Sequence, residues 1–184
     1  MTLHLWHNLA SGPNIPEVVY AVVEVPKGSR NKYEYSKKAG IIKLDRVLFS
    51  PLHYPGDYGF IPSTLSGDGD ALDVLVLVDS PSFSGCLLEV RPIGMLEMLD
   101  QGKTDEKILA VGLNNPRYKD LKNYTEVYTH ILREIQHFFA IYKDLEGKRT
   151  ELISWHDTEQ ARRTILESAQ RYRDAHPQGH ETGA

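Results

Sequence analysis

Short strand-like runs give way along this chain to segments of helical period, and that order limits the available folds more than any other feature. Strand-like runs fill the first two thirds, at Val18 to Val25, Lys32 to Tyr35, Ile41 to Val47, Asp73 to Val78, Leu87 to Arg91 and Lys107 to Val111. Gly, Pro, Asn or Ser separates most of them. Two helical segments follow. Between Glu126 and Lys143, Val127, Ile131, Ile135, Phe138 and Tyr142 recur every three or four residues and trace one helix face, with Gly147 just past the end. In the second, Asp157 is the expected N-cap with Gln160 three residues on, ahead of Ala161, Ile165, Ala169 and Tyr172. Glu159 with Arg163 and Glu167 with Arg171 are spaced to pair on its wet side. Strands first and helices last predict an α+β domain: an antiparallel sheet or small barrel flanked by two C-terminal helices. The 184 residues fit one domain, read over residues 1–176. The polar, aperiodic residues 177–184 are expected to be a disordered tail.

Composition narrows the function classes. At 41% hydrophobic and 25% charged, the chain is ordinary for a globular protein. Its formal charge of −4 gives no support to a nucleic-acid or anionic-membrane partner, so an anionic substrate must be attracted locally. The single cysteine, Cys86, allows no intrachain disulfide and no cysteine-based zinc site. The start, Met-Thr-Leu-His-Leu-Trp-His, lacks the basic and apolar regions of a signal peptide, and no stretch approaches a membrane span. A cytoplasmic protein is expected.

The chemistry is concentrated in Gly67-Asp68-Gly69-Asp70-Ala71-Leu72-Asp73, which runs directly into Val74-Leu75-Val76-Leu77-Val78. If the chain is extended, Asp68 and Asp70 point to one side, and a turn at the glycines brings Asp73 to the same pocket. Three such carboxylates raise one another's pKa unless a cation intervenes, and clustered hard oxygens select Mg²⁺, Ca²⁺ or Mn²⁺. A polar turn whose aspartates cap backbone amides is the plain alternative, and the motif alone weighs the two evenly. An EF-hand is excluded: its loop needs Gly where Asp73 stands, and a helix where a strand follows.

Asp100-Gln101-Gly102-Lys103-Thr104-Asp105-Glu106-Lys107 is a second acidic set, which alone reads better as a solvated hairpin loop. Glu24 ends a largely apolar strand, where a carboxylate needs a cation or strong donors. Lys32 and Glu34 share a strand face opposite Tyr33 and Tyr35, as an ordinary surface ion pair would. Phosphate chemistry also needs cationic and hydroxyl donors, for which Lys32, Arg46, Tyr58, Lys107, Tyr142 and Lys143 are candidates. Each alone is more often a surface cation or a core aromatic with a wet tip.

Together these segments resemble family I soluble inorganic pyrophosphatases of bacterial type, in consistent order from about Val18 to Trp155. Asp68-Gly69-Asp70-Ala71-Leu72-Asp73-Val74 matches the family signature D-[S/G/D/N]-D-[P/E]-[aliphatic]-D-[aliphatic] at all positions but Ala71. Further marks are Glu24-Val25-Pro26, Lys32-Tyr33-Glu34, Asp45-Arg46, Tyr54-Pro55, Tyr58-Gly59, Arg91-Pro92-Ile93-Gly94 and His137-Phe138-Phe139 with Tyr142-Lys143-Asp144-Leu145. The resemblance implies a closed, five-stranded OB-like barrel with helices outside. It implies hydrolysis of inorganic pyrophosphate to two orthophosphates by attack of a metal-activated water. Asp68, Asp70, Asp73, Asp100 and Asp105 would bind two or more Mg²⁺ ions, and Glu24 and Glu34 would complete the acidic rim. Mn²⁺ or Zn²⁺ would substitute and Ca²⁺ would inhibit. Asp73 would bridge two metals and Asp70 would be the general base. Lys32, Arg46, Lys107, Tyr142 and Lys143 would hold the phosphoryl groups, with Tyr58 hydrogen-bonded near the nucleophile or substrate. The substrate would arrive as its magnesium complex. Relatives of this length are usually homohexamers, and His137 matches an interface position. Gln101 is a second departure, where many relatives carry a carboxylate.

An OB-type oligonucleotide- or protein-binding module predicts a basic groove with exposed aromatics and an eroded acidic cluster. Every matched carboxylate and cation is instead retained. A nucleotide or polyphosphate hydrolase on the same scaffold remains compatible with the residues.

Overall fold

The computed structural model describes residues 3–177. Apolar residues on both faces make buried strands: β1 (Val19–Val25), β5 (Asp73–Leu77) and the inner half of β7 (Lys103–Gly112) are closed to water on both sides. On one face Leu75, Leu77, Leu109 and Val111 meet Ile135, Phe138 and Phe139 of α1 (Thr129–Ile141). On the other, Val74, Val76, Ile108 and Ala110 meet Ala161 and Ile165 of α2 (Thr158–Ala175).

With β4 (Asp57–Phe60) and β6 (Leu87–Asp100), these strands bond in the order β1-β4-β5-β7-β6, and β6 returns to β1. The result is a closed, barrel-like ring of five strands. Every pairing in it is antiparallel except β5 with β7. The α+β class and the two flanking helices are as the sequence order predicts. A separate hairpin, β2 (Asn31–Ser36) and β3 (Ile41–Val47), stands beside the ring. The residues of the expected disordered tail, Pro177 excepted, lie outside those described.

Several boundaries differ from the sequence reading. β6 runs on to Asp100, past the expected stop at Arg91, because Pro92 falls where its outer edge changes partner. Residues 87–90 bond β1 and residues 95–100 bond β8 (Thr150–His156), so the missing N–H interrupts neither ladder. The second acidic set is mostly strand, joined by a two-residue turn in which Gln101 and Gly102 both take positive φ. β4 and β8 were not anticipated: one is short and contains a glycine, the other is only partly buried. α1 starts later than expected, because Asn123 and Glu126 close a capping box on a separate 3-10 turn. Asp157 caps α2 as predicted, but the expected Glu159–Arg163 and Glu167–Arg171 pairs are not formed. Glu159 meets Arg162 at 3.4 Å, and Arg171 donates to the fixed Leu65 carbonyl at 2.9 Å, a better-ordered acceptor than an exposed carboxylate.

One close approach aims a functional side chain. β1 bulges between Val23 and Val25, leaving Glu24 as the extra residue opposite Gly59 and Tyr58. A Cβ on Gly59 would lie 1.9 Å from the Val22 carbonyl oxygen, so only glycine admits this crossing. Gly59→Ala should therefore cost about 3 kcal/mol or more in urea denaturation; a change below about 0.5 kcal/mol would show that β1 and β4 separate freely.

Candidate active site

At the centre of one end of the ring lies Lys107, whose side chain is only 3% exposed. The parallel ladder sets Lys107 beside Asp73, and period two puts Asp105 on the same face of β7. The Lys107 ammonium donates to Asp73 Oδ2 at 2.8 Å, to Asp105 Oδ1 at 2.9 Å and to the Tyr58 hydroxyl at 3.0 Å. Tyr58 donates in turn to Asp73. Burial alone would lower the ammonium's pKa, but Asp73, Tyr58 and Asp105 outweigh it and hold it well above its usual value. Burial, reinforced by the Asp73 charge, pushes the Tyr58 phenol well up, so it stays a proton donor at neutral pH.

This group forms the floor of a cavity of about 270 Å³. Its walls carry seven carboxylates, Glu24, Glu34, Asp68, Asp70, Asp73, Asp100 and Asp105, against four lysines, Lys32, Lys37, Lys107 and Lys143. Asp68 and Asp70 come from the exposed β4–β5 loop. That loop is not the extended segment anticipated: Gly69 takes φ 91° and the Asp70 N–H donates to Asp68 Oδ1 at 3.0 Å, an Asx turn that still presents both residues to the cavity. The polar-turn reading thus holds for Asp68, and both carboxylates also line the cavity. Asp100 ends β6 at the hairpin, and Lys143, just past α1, reaches its Oδ2 at 2.5 Å. Lys32 pairs with Glu34 across one face of β2, as a surface pair would, but at the cavity wall.

Glu24 accepts the Tyr35 N–H at 2.6 Å and makes no ion pair among the described residues, and burial pushes its carboxyl up to about 8. Tyr54, Tyr58, Phe138, Phe139 and Tyr142 pack together beside the polar groups, Phe138 stacked on Tyr142 and tilted against Tyr54 with centroids 4.7 Å apart. The end of α1 thereby sets Tyr142 against the cavity.

Among the expected metal-binding and phosphoryl-binding residues, Arg46 is the one that does not line the cavity. Its Nε donates to Glu146 at 2.8 Å and its Nη1 to Asp45 at 2.5 Å. Glu146, on the 3-10 turn after α1 with its side chain only 5% exposed, takes Arg46 on one oxygen and Lys148 on the other at 3.4 Å. Sequence reasoning passed over Glu146, and also Lys37 and Trp6, which lie at the cavity mouth. Nothing in the spacing of a Ser-Lys-Lys-Ala-Gly turn marks Lys37.

The donor set suits a hard divalent cation. It offers carboxylate oxygen without thiol or imidazole, and Asp100 Oδ1 is buried with no hydrogen-bond partner among the described residues. Among the described residues, no three such ligands converge on one point; the ammonium of Lys107 stands between Asp73 and Asp105.

The profile of the inorganic pyrophosphatase family matches residues 21–173. The chain belongs to that family. The inorganic pyrophosphatase of Halalkalibacterium halodurans is 50% identical over 158 residues, which are 86% of this chain and 97% of that protein. The one from Haloferax volcanii is 45% identical over 173 residues, 94% and 98% of the two chains. The crystal structure of inorganic pyrophosphatase from Thermus thermophilus superposes with a TM-score of 0.89 at 44% identity, covering 92% of this chain and 99% of that one. Among the described residues no helix is long and apolar enough to cross a membrane.

Because Glu24 binds its proton more tightly folded than unfolded, metal-free protein should lose stability as pH rises from about 4.5 through 8. Glu24→Gln should flatten that decline and raise Tm at pH 8.5 in EDTA, with little change at pH 5; equal melting of both proteins at pH 8.5 would contradict the burial of an uncompensated carboxyl.

Proposed function

We propose that this chain hydrolyses inorganic pyrophosphate to two orthophosphates with Mg²⁺ as its cofactor, water attacking one phosphorus as the bridging P–O bond breaks. One observation carries the proposal. A cavity with seven carboxylates and four lysines would repel a multiply charged anion. Such a substrate enters only with added positive charge, and the hard oxygens suit ions that provide it. The relatives' shared name, inorganic pyrophosphatase, supports the choice of anhydride.

Magnesium, when bound, supplies positive charge to the phosphoryl oxygens and makes water more acidic. Asp68, Asp70, Asp73, Asp100 and Asp105 would hold it, with Glu24 and Glu34 at the rim. Lys32, Lys107 and Lys143 are fixed around the cavity and would bind phosphoryl oxygens as its ammonium groups. Tyr58 and Tyr142 remain phenols at neutral pH, since burial raises both above their ordinary range, and they can donate to phosphate. Asp70, on the exposed loop and paired with Lys37 in the metal-free chain, would take a proton from water, the role of general base. Arg46, held by Asp45 and Glu146, would act from beside the cavity, steadying the β2–β3 hairpin that carries Lys32.

Phosphate release from pyrophosphate, ATP and tripolyphosphate, each with Mg²⁺, with Ca²⁺ and with EDTA, tests this reading. Rapid release should occur from pyrophosphate with Mg²⁺ and be suppressed by excess Ca²⁺. Asp70→Asn should lower turnover by about a hundredfold or more while leaving Tm nearly unchanged. Magnesium-dependent release from ATP but not pyrophosphate would overturn the substrate assignment.

A further inference from the structure

Lys37 has an arrangement that the proposed reaction does not use. It lies in the turn between β2 and β3, where the Ser36 carbonyl accepts the Ala39 and Gly40 N–H groups at 3.1 and 2.7 Å. The segment around His4 to His7 fixes this turn. His4 Nδ1 accepts the His7 N–H at 3.2 Å, so His4 Nε2 carries the proton and donates to the Lys37 carbonyl at 3.0 Å. The Leu5 N–H donates to the Tyr35 hydroxyl at 3.0 Å. Trp6 is held to the start of the acidic loop: its indole N–H donates to the Thr64 carbonyl at 2.8 Å and its carbonyl accepts the Ser63 N–H at 2.9 Å. One short segment therefore ties the turn carrying Lys37 to the loop carrying Asp70.

The Lys37 ammonium then lies 4.0 Å from the centroid of the Trp6 ring and pairs with Asp70. An exposed lysine on a carboxylate is ordinarily a weak, mobile contact. Here the lysine's backbone is hydrogen-bonded and its ammonium rests on an aromatic face, so less freedom is lost on pairing. No other side chain pairs with Asp70 among the described residues.

We propose that Lys37 is a tethered counter-cation for Asp70, holding the acidic loop toward the cavity in the metal-free protein and competing with a divalent cation for that carboxylate. This rests on the reading of Asp70 as a metal ligand. Lys37 is a positioning residue rather than a catalytic one: it sets how much Mg²⁺ the chain needs before the loop is loaded. The N-terminal segment, through His4 and Trp6, sets the strength of that competition.

The test is calorimetric titration of Mg²⁺ into the metal-free full chain without substrate, for the unaltered protein, Lys37→Met, Lys37→Arg and Asp70→Asn. Lys37→Met should lower the half-saturating Mg²⁺ about fivefold at low ionic strength, with the gain shrinking in high salt. Lys37→Arg, which keeps the charge, should bind as the unaltered protein does. Asp70→Asn should bind more weakly than all three. Unchanged binding in Lys37→Met, with weaker binding in Asp70→Asn, would overturn the counter-cation while keeping the metal reading. Unchanged binding in Asp70→Asn would overturn the metal reading and the competition with it. A rise in KM for pyrophosphate in Lys37→Met, without tighter Mg²⁺ binding, would make Lys37 a substrate ligand instead.

Discussion

An ammonium group closed off from water inside a sheet survives only if anionic partners surround it, and Lys107 meets that demand with Asp73, Asp105 and the Tyr58 hydroxyl. The rest of the site follows from that contact. β5 and β7 lie parallel in the register that sets Asp73 beside Lys107, and the aromatic end of α1 seals the lysine stem from below. Three strands and a helix thus converge on one charge. Removing the lysine would leave two carboxylates crowded together, while removing a carboxylate would leave a buried cation short of partners.

The same logic extends outward at decreasing burial. Lys143 answers Asp100, Lys32 answers Glu34, and Lys37 answers Asp70 at the solvent edge. Carboxylates outnumber lysines seven to four around the cavity and remain in excess; among the described residues Glu24 forms no ion pair and Asp100 Oδ1 has no donor. Under the proposed function, divalent ions would relieve that excess, and a phosphoanhydride would then bind where the lysines are placed. Stability of the metal-free chain and charge selection by the loaded one would then be two sides of one electrostatic arrangement.

How much of this could be read from the sequence depended on whether the controlling interaction was local. Asp68-Gly69-Asp70-Ala71-Leu72-Asp73 declared itself because loop and strand are contiguous, and the buried run after it forced both faces of β5 into the core. The order of strands and helices announced the class. What stayed hidden was long-range. Lys107 resembled any surface lysine until its parallel partner was known, and Glu146 gave no sign that it would hold Arg46 across 100 residues. β8 completes its pairing on β6 only after α1 has intervened, so its partial burial left a weak alternation. Lys37 depends on an indole 31 positions earlier in the chain. Glu24 stood out in the sequence as a carboxylate on a largely apolar strand, and the bulge that aims it is visible only in the strand register.

Under the proposed function the groups around Lys107 would form a cation site in which the ammonium supplies part of the required charge. Thermal melts of the unaltered chain and of Lys107→Met, each in EDTA and in saturating Mg²⁺ without substrate, test it most directly. The variant should melt well below the unaltered chain in EDTA, and Mg²⁺ should raise its Tm by more than it raises that of the unaltered chain, because the divalent ion replaces the missing charge. An equal or smaller magnesium shift in the variant would contradict the account.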